Sequence, residues 1–184
     1  MRALPLALFA LLLPTAVLAH TGHESGTFLA GAGHPIGGLD HVLAMVALGL
    51  LAAQKGGASL WAMPLSFVTA MVLGGALGFA GLPFPAVEPL ILASIVLFGV
   101  LVALAARLPL MATLPLIALF GAAHGWAHGA EGPATGIAAY ALGFAAMTAA
   151  LHLAGIALGR VTSTLALRGL GAAAALAGVA LALS

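Results

Sequence analysis

Six long apolar segments, separated by short breaks of glycine, proline and charge, constrain the fold of this chain more than any other feature. Each segment has about 20 residues or more, enough to cross a hydrocarbon core of about 30 Å as an α-helix. A backbone inside a bilayer must satisfy its own hydrogen bonds, which favours helices. The sequence therefore predicts an all-α, polytopic membrane bundle with six spans: Leu29–Gln54 (its first turn irregular), Ser59–Gly81, Val87–Ala106, Pro109–Ala130, Pro133–Gly159 and Ser163–Leu183.

The composition excludes most other classes of protein. Only 5% of the residues are charged and 64% are hydrophobic, whereas a soluble domain carries roughly 25% charged residues. The net charge of +1 gives no basic surface for nucleic acid. The chain has no cysteine, so it has no disulfide, thiolate zinc site, iron–sulfur cluster or cysteine nucleophile.

The amino-terminal segment has the pattern of a cleavable signal peptide. Arg2 precedes an apolar run that ends with the small residues Val17 and Ala19 at positions −3 and −1. We expect cleavage after Ala19, so that residues 1–19 are the signal peptide and residues 20–184 form one six-helix domain. The alternative is that this run is an uncleaved transmembrane helix.

The positions of the basic residues predict the orientation of the chain. Cleavage after Ala19 would leave the mature amino terminus in the periplasm. The loops after the first, third and fifth spans would then be cytoplasmic, and they contain Lys55, Arg107 and Arg160. Arg168 lies near the inner start of the last span. This distribution agrees with the positive-inside rule, and it predicts a multi-pass protein of the cell inner membrane.

A first cluster of ionisable residues, His34, Asp40 and His41, lies at the predicted outer start of the first span. Pro35 and the paired glycines Gly37 and Gly38 argue against a regular helix before Leu39. We expect a bent or unwound segment that allows His34 to fold back toward Asp40 and His41. Irregular backbone at membrane depth is tolerated where it lines a cavity.

A second cluster, His124, His128 and Glu131, lies at the predicted outer end of the fourth span. Spacings of four and seven residues place these side chains on one face of a helix. The last turn of a helix is its electronegative end and favours a cation. Both clusters fall at the same outer depth, and ionisable residues within spans are usually functional.

Together the two clusters predict a site for a divalent transition-metal ion. Imidazole with some carboxylate suits nickel, cobalt, zinc or copper(II), and this mixture does not choose among them. Asp40 is either a direct ligand or a residue that orients His41.

Three further histidines are candidate auxiliary metal ligands. His20 and His23 lie at the predicted mature amino terminus, where they either chelate an ion before delivery or belong to a solvated tail. His152, midway along the fifth span, is either an interhelical hydrogen-bonding residue or a relay toward the cytoplasm.

At the two clusters the chain resembles the HupE/UreJ family of nickel and cobalt permeases. The family's first motif, a histidine followed after five residues by Asp-His, matches His34, Asp40 and His41, and its second motif matches His124, His128 and Glu131. The resemblance extends to chain length, the signal-peptide start and the six-span layout. It implies uptake of Ni²⁺ or Co²⁺ as a transported substrate, often beside hydrogenase or urease maturation, with no permanently bound cofactor.

Two other functions compete with a permease. A haem-binding membrane redox protein would use paired histidines as axial ligands, but it gives no role to Asp40 or Glu131. An intramembrane metalloenzyme could use Glu131 as a base, although the sequence has no His-Glu-x-x-His pattern. The sequence also lacks a phosphate-binding glycine loop, so we expect no ATP hydrolysis by this chain. The expected partners are the metal ion and the lipid bilayer.

Overall fold

The computed structural model describes residues 26–184, and within this range the chain forms helices and no strands. The predicted signal peptide and the candidate ligands His20 and His23 lie outside the described residues. The described helices are α1 (Phe28–Gly37), α2 (Leu39–Lys55), α3 (Ser59–Phe79), α4 (Val87–Ala103), α5 (Leu110–Ala130), α6 (Ile137–Val161) and α7 (Thr164–Ala182).

These helices form a multi-pass membrane bundle. Helices α3, α5, α6 and α7 are long and apolar enough to cross a membrane, and α1 with α2 would make a fifth span if this bent pair is counted as one. Helix α4 is apolar but has only 17 residues, at the short end of the spanning range of about 17–25 residues. The all-helical class is therefore confirmed, whereas the count of six spans stays a prediction.

The first span begins with a bent segment, as expected, but the expectation that the chain before Leu39 is not a regular helix was wrong. Residues Phe28–Gly37 form a regular helix that contains Pro35 and lies at 87° to α2. The Thr27 side chain caps this helix by accepting a hydrogen bond from the Ala30 backbone N–H at 3.1 Å. Pro35 removes one helical hydrogen bond, but the backbone leaves helical geometry only at Gly38, which is extended at φ −107° and ψ 118°.

Glycines bring α3 and α5 into the most extensive contact between helices of the described chain. A Cβ atom at any of these positions would collide with the backbone of the facing helix, so a larger side chain would force the two helices apart. The glycines are Gly74 and Gly78 on α3, which face Ala122 and Trp126, and Gly121, Gly125 and Gly129 on α5, which face Phe67, Met71 and Gly75.

Helix α2 lies in the middle of the bundle and contacts α1, α3, α4, α6 and α7. Its residues Ala44, Met45 and Leu48 are fully buried. The two ends of α2 therefore mark the two ends of the bundle, with His41 in its first turn and Lys55 as its last residue.

Basic residues gather at the end of the bundle marked by Lys55. The Lys55 ammonium donates a hydrogen bond to the carbonyl oxygen of Leu108. Arg168 Nε donates to the carbonyl oxygen of Ala103 at 2.7 Å. Lys55 and Arg107 also line a cavity of about 680 Å³. Because His41 and Lys55 are 14 residues apart on α2, this basic end lies about 21 Å from the first histidine cluster.

Candidate metal site

Four histidine rings meet where α1 ends, α2 begins and α5 ends. The ring centroid of His41 lies 4.7 Å from that of His124 and 4.4 Å from that of His128. The ring of His34 packs against His128 at a centroid distance of 4.7 Å. The structure thus brings the histidines of the two separate sequence clusters into one group, which we call the outer histidine cluster (His34, His41, His124 and His128).

The closest approach in this cluster joins two ring nitrogens. His41 Nε2 lies 2.5 Å from His128 Nε2. The other nitrogen of His41, Nδ1, lies 3.0 Å from Asp40 Oδ1, and the His41 backbone N–H donates to the same oxygen at 2.9 Å. Because an ionised carboxylate only accepts hydrogen bonds, Nδ1 of His41 carries the proton and Nε2 presents a lone pair to His128. Asp40 therefore orients His41.

His124 lies one turn deeper and is held by a serine on α4. Ser94 Oγ donates a hydrogen bond to the carbonyl oxygen of Ile91 at 2.6 Å. The single hydroxyl hydrogen is thereby used, so Ser94 Oγ accepts from His124 Nε2, 3.0 Å away. His124 Nδ1 then carries a lone pair. This atom is buried and has no hydrogen-bond partner within residues 26–184.

The sequence around His124 and His128 explains why the two rings point toward α2. Each histidine directly precedes a glycine, Gly125 or Gly129, whose backbone packs against α3. One residue turns a helix by about 100°. The glycines therefore face α3, and the imidazoles are directed to an adjacent side of α5, where α2 and α4 lie.

Two aromatic residues of α6 close the outer histidine cluster on another side. Tyr140 lies 5.8 Å from His34 between ring centroids, and Phe144 lies 4.5 Å from His128. Both aromatic residues, with His128 and Met71, line a cavity of about 240 Å³. Its lining is largely apolar, so His128 lies at the edge of a space that offers few competing hydrogen-bond partners.

Not every predicted ligand joins the cluster. Glu131 follows the last residue of α5, is exposed, and forms no side-chain hydrogen bond or ion pair within residues 26–184. His152 lies outside the cluster on α6. Its ring is 5.2 Å from that of Phe67, which also lies 5.4 Å from the ring of His124. As they stand, no three His, Asp or Glu side chains in the described range form a group that would hold a metal ion.

Sequence reasoning missed the residues that support the histidines. Ser94 is a lone hydroxyl in the apolar stretch of α4, and such a residue within a span suggests an interhelical hydrogen bond. Tyr140 is the single tyrosine of the chain, but its position beside His34 depends on the bend at Gly38. Phe67 gives no signal, because it is one of several apolar residues on α3.

The sequence comparisons agree with this arrangement. Residues 7–181 match the family model described as "HupE / UreJ protein". The chain belongs to the HupE/UreJ family. A relative from Rhizobium leguminosarum bv. viciae, "Protein HupE", is 42% identical over 187 residues, covering 95% of this chain and 94% of the relative. No solved structure matches the chain. The resemblance seen in the two histidine motifs is thus confirmed at the level of the family.

The hydrogen bonds of this HupE/UreJ protein predict that His41 and His124 are opposite tautomers. We expect His41 to be protonated at Nδ1 and His124 at Nε2, because Asp40 accepts from the first and Ser94 from the second. Two-dimensional ¹H–¹⁵N correlation spectra of protein labelled at histidine measure both. The Ser94→Ala variant should lose the preference at His124 and keep that at His41. A His124 ring protonated at Nδ1 in the unaltered protein would contradict the assignment.

Proposed function

We propose that this protein is an inner-membrane permease that imports a divalent transition-metal ion, Ni²⁺ and also Co²⁺, from the periplasm into the cytoplasm. The observation that carries the proposal is the approach of His41 Nε2 to within 2.5 Å of His128 Nε2, with His34 and His124 against the same pair. Imidazole nitrogens suit these ions. The resemblance to nickel and cobalt permeases favours them over zinc and copper.

The geometry suggests how the outer histidine cluster would take an ion. Metal–imidazole bonds of about 2.0–2.1 Å, at a right angle to one another, place two nitrogens about 3 Å apart. The rings of His41 and His128 would therefore have to move apart slightly to share an ion. Asp40 would offset part of the positive charge while it holds His41. Glu131, exposed at the rim, would attract the ion before it reaches the rings.

The charge distribution supports inward transport. The outer histidine cluster lies at one end of the bundle, and Lys55, Arg107 and Arg168 lie at or beside the opposite end. The positive-inside rule makes the basic end cytoplasmic and the mature amino terminus periplasmic. A divalent ion that moves inward gains roughly 4.6 kcal/mol per 100 mV of inside-negative potential. The membrane potential can thus drive uptake without ATP hydrolysis or any other enzymatic step by this chain.

The ring packing favours a permease over a haem protein. Axial ligands to a haem lie on opposite faces of the porphyrin, so the macrocycle must fit between the two imidazoles. His41 and His128 instead contact each other directly at a centroid distance of 4.4 Å. We further propose that the imported ion supplies hydrogenase or urease maturation, which the family resemblance implies.

Removal of the central ligands should abolish uptake. We expect Asp40→Ala and His41→Ala each to reduce ⁶³Ni²⁺ uptake to the level of cells without the protein, since the first variant frees the His41 ring and the second removes a nitrogen. Uptake is measured at limiting metal in cells that lack their own importers, with membrane content checked by immunoblot. His23→Ala should only weaken uptake. Normal uptake by both Asp40→Ala and His41→Ala would remove the proposed site.

Two adjacent glycines offer a matched test of the geometry. A Cβ atom on Gly38 would lie 2.6 Å from Asp40 Oδ1 and 3.1 Å from His41 Nδ1, whereas one on Gly37 would meet nothing within 4 Å. Neither glycine has a positive φ, so alanine fits both backbones. We expect Gly38→Ala to lower ⁶³Ni²⁺ uptake by about tenfold or more and Gly37→Ala to retain it. Equal uptake by the two variants would show that the Asp40–His41 geometry does not matter for transport.

A further inference from the structure

His152 is an unusual residue to find in the interior of the bundle. It is fully buried, and neither of its ring nitrogens has a hydrogen-bond partner within the described chain. The hydroxyl of Thr148, one turn earlier on α6, is likewise buried and unpartnered. Unpartnered polar groups are costly in a membrane interior and are functional by default. The presence of two such side chains, Thr148 and His152, on adjacent turns therefore points to a bound ligand.

These two residues continue a buried row that begins at the outer histidine cluster. Tyr140, Phe144, Thr148 and His152 follow one another on successive turns of α6, and all four are buried. Tyr140 and Phe144 contact the outer histidines. His152 lies 12 residues after Tyr140, about 18 Å along the helix at a rise of about 1.5 Å per residue. The row thus leads from the cluster into the middle of the bundle.

Phe67 connects the outer histidine cluster to His152 through ring contacts with both. Its side chain is fully buried, and its ring contacts His124 at 5.4 Å and His152 at 5.2 Å between centroids. The backbone of Phe67 packs against Gly121, where an added Cβ would lie 2.5 Å from the Phe67 carbonyl oxygen. Because the backbone is held so closely, we expect the Phe67 ring to move by rotation of its side chain and not by a shift of α3.

Beyond His152 the bundle opens at its basic end. Gly159, about 10 Å further along α6, lines the cavity of about 680 Å³ together with Gln54 and Arg107. Gln54 Oε1 is itself buried without a partner in the described residues. An ion that leaves His152 would therefore have a polar cavity ahead of it.

We propose that His152 and Thr148 form a second, inner station for the transported ion, and that the ring of Phe67 is the gate between this station and the outer histidine cluster. The inference rests on the proposed function, because it concerns the path of the same ion. One imidazole and one hydroxyl hold a divalent ion more weakly than several imidazoles do. Weak binding suits an inner station, since conduction requires that the ion can leave again.

The inner station is tested with full-length protein in two assays: Ni²⁺ binding in detergent and Ni²⁺ influx into proteoliposomes that contain a Ni²⁺-sensitive dye. We expect His152→Phe, which keeps an aromatic ring and removes both nitrogens, to bind Ni²⁺ with unchanged Kd and to reduce influx by about tenfold or more. Thr148→Val, nearly identical in shape, should reduce influx to a smaller extent. His128→Ala should lose both binding and influx.

The outcomes distinguish a failure of the inner station from a failure of the proposed function. Wild-type influx in His152→Phe would overturn the inner station and leave the outer site intact. Loss of Ni²⁺ binding in His152→Phe would also overturn it, because His152 would then belong to the capture site. If the unaltered protein neither bound nor transported Ni²⁺, the proposed function itself would fail.

The gate is tested by ion selectivity in the same vesicles. A closed aromatic ring should exclude hydrated Mg²⁺, so we expect Phe67→Ala to admit Mg²⁺ that the unaltered protein excludes. Because Phe67→Ala leaves a cavity in the core, Phe67→Leu serves as a second variant that keeps most of the volume, and we expect it to admit less Mg²⁺. Retained Ni²⁺ binding verifies the fold of both. If Mg²⁺ influx into vesicles with either variant were no greater than with the wild-type protein, the gate would be overturned.

Discussion

The close packing of α3 against α5 positions three side chains on which the proposed chemistry depends: His124, His128 and Phe67. Glycines at 121, 125 and 129 let the backbone of α5 rest on that of α3, with no side chain between them. The same contact fixes Phe67 beside Gly121 and turns His124 and His128 toward α2. A larger residue at one of these glycines would therefore displace the imidazoles as well as separate two helices.

Burying imidazoles in an apolar bundle removes the hydrogen bonds that their nitrogens make with water, and the protein replaces only some of these bonds. Asp40 satisfies one nitrogen of His41, and Ser94 satisfies one nitrogen of His124. Nδ1 of His124 and of His128, and both nitrogens of His152, remain without partners within the described chain. Each unpartnered buried group costs about 1–3 kcal/mol. A cation passing through the bundle could bind these unpartnered nitrogens, which supports our proposal that they lie on the path of the ion.

The length of the apolar segments was enough to predict the helical class. The helical spacing of His124 and His128, with the equal outer depth of the two clusters, was enough to predict that they meet His41. The bend before α2 was expected from Pro35 and the paired glycines. The regular helix of α1 was not expected: the Thr27 side chain caps a helix that continues through Pro35 to Gly37. Ser94, Tyr140 and Phe67 could not be placed from the sequence, because their roles come from contacts between helices far apart in the chain. The exposed position of Glu131 likewise depends on where α5 ends.

X-ray absorption at the nickel K-edge of the purified, Ni²⁺-loaded protein measures whether the outer histidine cluster binds the transported ion through imidazole nitrogens. We expect at least two, and up to four, imidazole ligands at about 2.1 Å, with the outer-shell scattering typical of histidine, and fewer of them in His128→Ala. A spectrum of oxygen ligands alone, unchanged in both His41→Ala and His128→Ala, would contradict this expectation.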